Sequence, residues 1–89
     1  PMHQALQNRL RQILEGASGI DMAGVSPRLS FPEIGLDSLL LTQVALTLKK
    51  EFGLPITFRQ LAERYDTLDA LTTYIAQNTA PPPSAVTTA

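Results

Sequence analysis

Apolar residues in the first part of the chain recur with helical spacing. Leu6, Leu10, Ile13, Leu14 and Ala17 stand at i, i+4, i+7, i+8 and i+11, while Arg9, Arg11, Gln12 and Glu15 fall off that stripe. This period predicts an amphipathic helix from about Met2 to Ala17, with Gly16 and Gly19 marking its end. The pattern then breaks. From Ser18 to Leu36 glycine, proline and serine are dense, which predicts a long connection with room for one turn of helix around Ile20–Gly24. A loop of this length is uncommon inside a small domain and is often functional. Its apolar residues Ile20, Met22, Val25, Leu29, Phe31 and Ile34 are expected to pin it to the core.

Periodicity resumes at Ser38. Leu41, Val44, Ala45, Leu48 and Phe52 share one side of a second helix, Ser38 to Phe52. Asp37 is a good N-cap, and Leu36 and Leu41 are spaced as a hydrophobic staple. Lys49 and Lys50 complement the far end of the helix dipole. Gly53 suits the left-handed residue after the helix, with Leu54 folding back on Leu48 as in a Schellman ending. A short third helix is expected from about Phe58 to Arg64, opened by a Thr57–Gln60 capping box with Ile56 and Leu61 as its staple. Phe58, Leu61, Ala62 and Tyr65 form its apolar stripe. A fourth helix is expected from about Leu68 to Gln77, capped by Thr67, with Asp69 in its first turn and Leu68, Leu71 and Ile75 facing inward.

No stretch alternates as a half-buried strand would. The predicted fold is therefore all-α: a small four-helix bundle of three longer helices and one short third helix, with a long first loop. Residues 1–77 form the domain. Residues 78–89, uncharged and carrying consecutive Pro81, Pro82 and Pro83, read as a Pro-rich linker or simply as a frayed end.

The second helix has a second message. Leu39 and Leu46 lie together opposite its core face, with Gln43 and Lys50 beside them and Thr42 next to Ser38. Single exposed leucines are ordinary. Two that share a surface with an exposed serine favour a docking patch for partner proteins. Ser38 itself opens the helix, where unpaired N–H groups and the positive end of the dipole suit a phosphate. Asp37 opposes this, since a carboxylate repels a phosphodiester; the plain alternative is that Asp37-Ser38 is only a cap pair.

Composition removes other readings. With 89 residues, the chain is one domain at most and buries roughly 60–65 % of its unfolded surface. It has room for one small core and no deep substrate cavity, so an enzyme is not expected. The chain has no Cys, and its single His, His3, lies near the N-terminus. Disulfides, thiolate zinc sites, Cys nucleophiles and His-based triads are excluded, and no metal site is expected. Seven basic residues against eight acidic ones give a formal charge of −1, without the basic footprint of a nucleic-acid binder. No apolar run approaches the roughly 18 residues of a membrane span. No stretch has the order of a secretory signal, so a cytoplasmic protein is expected.

The residues resemble a known family. Gly35-Leu36-Asp37-Ser38-Leu39, preceded by Phe31 and Ile34, is similar to the attachment motif of acyl and peptidyl carrier proteins. The resemblance covers about residues 5–77 and includes the first stripe, the long loop, Phe52-Gly53, the short third helix and Thr67-Leu68-Asp69-Ala70-Leu71. It implies that a phosphopantetheinyl transferase attaches 4′-phosphopantetheine from coenzyme A to Ser38, with Asp37 beside it. It further implies that acyl or aminoacyl groups travel as thioesters on the arm's thiol, which fits a chain without Cys. Partner enzymes would dock on Leu39, Thr42 and Leu46, with Phe58 and Arg59 adding contacts.

The subtype divides. Leu39-Leu40-Leu41-Thr42-Gln43 resembles peptidyl carriers of nonribosomal peptide synthetases, and Gly35-Leu36-Asp37-Ser38 resembles acyl carriers of modular polyketide synthases. Thr57-Phe58-Arg59-Gln60-Leu61 looks like carriers of hybrid systems. The second helix departs from free-standing fatty-acid carriers, whose equivalent is strongly acidic. Partners implied are the ketosynthase, acyltransferase, adenylation or condensation domains of a megasynthase, with the isolated domain a monomer. The competing expectation is a small helical protein–protein interaction module without a prosthetic group.

Overall fold

The fold is that of a computed structural model, which describes residues 2–79. Its helices are α1 (Met2–Ser18), α2 (Phe31–Ile34), α3 (Ser38–Phe52), α4 (Phe58–Glu63) and α5 (Leu68–Asn78). α1 packs against α3 and α5, and α4 packs against α3. This is the expected small helical bundle. The proposed linker lies outside the described residues apart from Asn78, which closes α5, and Thr79.

The core follows the periodicity. Leu10 and Leu14 of α1, Leu41, Val44 and Leu48 of α3, Leu61 of α4, and Leu68, Leu71 and Ile75 of α5 are buried together. Local capping holds the helix starts in place. Asp37, Thr57 and Thr67 each accept the N–H three residues on, from Leu40, Gln60 and Ala70. Each cap satisfies a donor that the helix leaves orphaned. The two buried polar side chains among the described residues are also paired: Thr72 donates to the Leu68 carbonyl at 2.7 Å, and Gln7 donates to Asp69 at 3.0 Å.

The first loop departs from expectation in two ways. No helix forms around Ile20–Gly24, where a single turn closes from the Val25 N–H to the Met22 carbonyl at 3.3 Å. Instead the Asp21 carboxylate accepts from the Ala23 N–H at 2.9 Å and Glu15 accepts from the Met22 N–H. Such local side-chain bonds compete with helix formation. The extra helix, α2, lies further on. Ser30 and Glu33 form a reciprocal capping box, and Pro32 falls in the first turn. The bonds to Ser30 hold the Glu33 carboxyl below its ordinary pKa.

The second departure concerns Leu29. Met22 and Phe31 are fully buried and Ile20, Val25 and Ile34 pack partly against the core, but Leu29 is exposed. It sits between two polar anchors that set the path. The Asp69 N–H donates to the Pro27 carbonyl at 3.0 Å, and the Phe31 N–H donates to the Asp66 carbonyl at 2.7 Å. Ser30 and Thr67 pair as an isolated antiparallel bridge. These bonds fasten the loop to the α4–α5 junction. Upstream, the Arg11 guanidinium donates to the carbonyls of Met22 and Val25. The loop is thus tied on both sides just before it delivers Ser38.

The helix ends are also informative. Gly53 is left-handed (φ 71°), and its N–H bonds to the Lys49 carbonyl, a single αL closure at the site where a Schellman ending was expected. The full Schellman pattern occurs at Gly35. There the Gly35 N–H reaches the Pro32 carbonyl and the Leu36 N–H reaches the Phe31 carbonyl, at 3.1 and 2.9 Å. Phe31 and Leu36, the apolar pair that accompanies this motif, are both buried. Gly35 has φ 111°, a conformation that strains any residue with a Cβ.

Candidate functional site

The Schellman turn at Gly35 aims the next three residues. Leu36 is anchored in the core and Asp37 leaves it in an extended conformation (φ −88°, ψ −177°). Asp37 caps α3 through the Leu40 N–H at 2.9 Å, and its carbonyl accepts the Leu41 N–H at 2.9 Å. Ser38 is then the first residue of the helix, and it is exposed. Its carbonyl accepts the Thr42 hydroxyl at 2.8 Å, while its own hydroxyl has no hydrogen-bond partner among the described residues. The carboxylate that repels a phosphate is therefore held by the backbone at Leu40, and the N–H groups of Ser38 and Leu39 stay without an internal acceptor.

This geometry suits a covalent attachment point better than a catalytic nucleophile. A serine nucleophile needs a base bonded to its oxygen. Here the hydroxyl stands free on a fixed turn, beside unpaired N–H donors and the positive end of a four-turn helix. A phosphodiester on that oxygen would meet no buried surface and no opposing wall, so the residues present fit such a group.

The expected docking residues are brought together only in part. Leu39 and Leu46 are 65 % and 64 % exposed, as the wheel implies. Thr42, Leu46 and Phe58 line one shallow groove of about 290 Å³ between α3 and the segment that enters α4. Phe58 is 41 % exposed, so this member of the expected α4 stripe sits at the groove edge, whereas Leu61 is fully buried. Arg59 is not part of the groove lining; it pairs with Glu63 at 3.8 Å along α4. The groove is also lined by Ala45, Lys49, Pro55, Ile56 and Thr57, which were not among the expected docking residues. Lys49 follows Leu46 at i+3, a signal the wheel contained. Pro55 and Ile56 reach the groove through the tertiary turn after Gly53.

Residues 8–75 match the family described as phosphopantetheine attachment site. The chain belongs to that family. Its members carry 4′-phosphopantetheine covalently, and the family is non-catalytic in itself. A relative is the non-reducing polyketide synthase pgmA of Aspergillus terreus, 28 % identical over 69 residues. The match takes in 78 % of this chain and 3 % of that relative's length. Among the described residues no helix is long and apolar enough to cross a membrane.

Proposed function

We propose that this chain is a carrier domain of a polyketide or nonribosomal peptide assembly line, working in the cytoplasm. In this reading a phosphopantetheinyl transferase joins 4′-phosphopantetheine to Ser38. The Ser38 oxygen forms a bond to phosphorus, the pyrophosphate bond of coenzyme A breaks, and adenosine bisphosphate leaves. The serine proton passes to a base of the transferase, since none is bonded to the hydroxyl here. Acyl or aminoacyl groups are then held as thioesters on the arm and offered to catalytic domains of the synthase. Leu39, Thr42, Leu46 and Phe58 form the docking face, with Arg59 at its margin.

The observation that carries this reading is the free Ser38 hydroxyl on the first turn of α3, presented by a turn anchored through Phe31 and Leu36 inside the family match. The polyketide synthase relative supports the assembly-line context. The test is mass spectrometry after incubation with coenzyme A and a broad-specificity phosphopantetheinyl transferase. The native chain is expected to gain a single phosphopantetheine and Ser38→Ala none. Modification that persists in Ser38→Ala would overturn the site. A native chain that gains nothing would favour the bare interaction module.

A further inference from the structure

The groove beside α3 carries information about charge that the helix sequence alone hides. α3 holds one acid, Glu51, and two bases, Lys49 and Lys50. Glu51 is committed elsewhere: the Arg9 guanidinium of α1 pairs with it through two nitrogens. That pairing holds the Glu51 carboxyl below its ordinary pKa. On α4, Arg59 and Glu63 offset each other. Lys49 and Lys50 have no ion-pair partner among the described residues, and both are exposed. Lys49 stands on the groove itself, beside Leu46, Pro55, Ile56 and Phe58. Asp37, the acid before α3, lies at the opposite end of the helix, where it caps Leu40.

The result is a small apolar depression with an uncompensated positive rim. Its volume, about 290 Å³, falls just below the ~300–1,000 Å³ of small-molecule pockets, a size suited to a projecting side chain. We infer that the partner surface docking here presents one large apolar side chain between Leu46 and Phe58, with carboxylates around it facing Lys49 and Lys50. The inference rests on the carrier reading and adds to it the chemistry of the partner, an acidic one. Charge complementarity of this kind sets encounter rate and excludes wrong partners more than it adds affinity.

Two peptides test it, each with a single central phenylalanine, ringed by glutamates in one and by lysines in the other. Each is titrated into the isotope-labelled full chain while amide chemical shifts are followed. The acidic peptide is expected to move the amides of Leu46, Lys49 and Phe58 and to bind about fivefold more tightly than the basic one. That preference should fade as salt shortens the screening length. The Lys49→Glu variant, in which the new carboxylate offsets Lys50, should abolish the preference, and Leu46→Asp should weaken the acidic peptide. Equal binding of both peptides, preference for the basic one, shifts on another face, or no shifts at all would overturn the inference. Phosphopantetheine loading of Lys49→Glu is measured in parallel. A native chain that is loaded on Ser38 but shows no charge preference, or a loaded Lys49→Glu variant that keeps the preference for the acidic peptide, sinks the partner chemistry alone, whereas a native chain that is never loaded sinks the carrier reading.

Discussion

Leu46 and Leu48 lie on the same helix, two positions apart, and have opposite fates. Leu48 is fully buried in the core, while Leu46 is 64 % exposed at the edge of a groove. The side chain is the same, so the difference is one of position alone. The buried face of α3 holds the bundle together. The exposed face, from Ser38 through Leu39, Thr42 and Leu46 to Lys49, adds little to that and is the face proposed for docking. Separating the two lets the outer surface change while the fold stays constant. Asp37 caps the helix one residue before Ser38, so helix stability and the proposed attachment site adjoin there.

The comparison can be broken by mutation. The largest effect on stability is expected for Leu48→Ala, which leaves a cavity in the core and should cost about 2–5 kcal/mol by thermal or denaturant unfolding. A loss near zero would mean that the buried face does not hold the bundle. Asp37→Ala should cost about 1 kcal/mol, the usual penalty for losing an N-cap. It should also slow phosphopantetheine loading, because the first turn of α3 frays around Ser38. Unchanged stability together with unchanged loading would show that the cap serves neither role. Leu46→Asp should move stability by no more than about 0.5 kcal/mol, as surface changes usually do. It should still impair a partner reaction of the loaded domain. A large drop in melting temperature would instead place Leu46 in the core and erase the contrast.

Features set within one turn of helix were legible in the sequence. The caps at Asp37, Thr57 and Thr67, the core face of α3 and the exposure of Leu39 and Leu46 all depend on residues three or four positions apart. So did α2, in principle. Ser30-Phe31-Pro32-Glu33 carries a capping box and Gly35 a Schellman ending, but the density of proline and glycine reads as irregular loop. A helix of four residues also has too little periodicity to announce itself. The exposure of Leu29 was not legible. It is decided by two backbone bonds, one tying Pro27 to Asp69, forty-two positions on, and one tying Phe31 to Asp66, thirty-five positions on. Hydrophobic character says that a residue gains by burial, not that the chain path permits it.

The same division holds for the candidate site. Sequence by itself determined an all-helical bundle, a serine opening a long amphipathic helix, and two leucines, Leu39 and Leu46, on the outer face of that helix. These are consequences of period and capping, which act locally. Tertiary structure decided that the serine is presented by a closed turn anchored in the core, and that Thr42, Leu46 and Lys49 meet Pro55, Ile56 and Phe58 across a groove. It also decided that Glu51 is neutralised by Arg9, forty-two positions away, leaving the lysines of α3 uncompensated. Contacts at that separation depend on how helices pack, and no local pattern records which charge on one helix will find its partner on another.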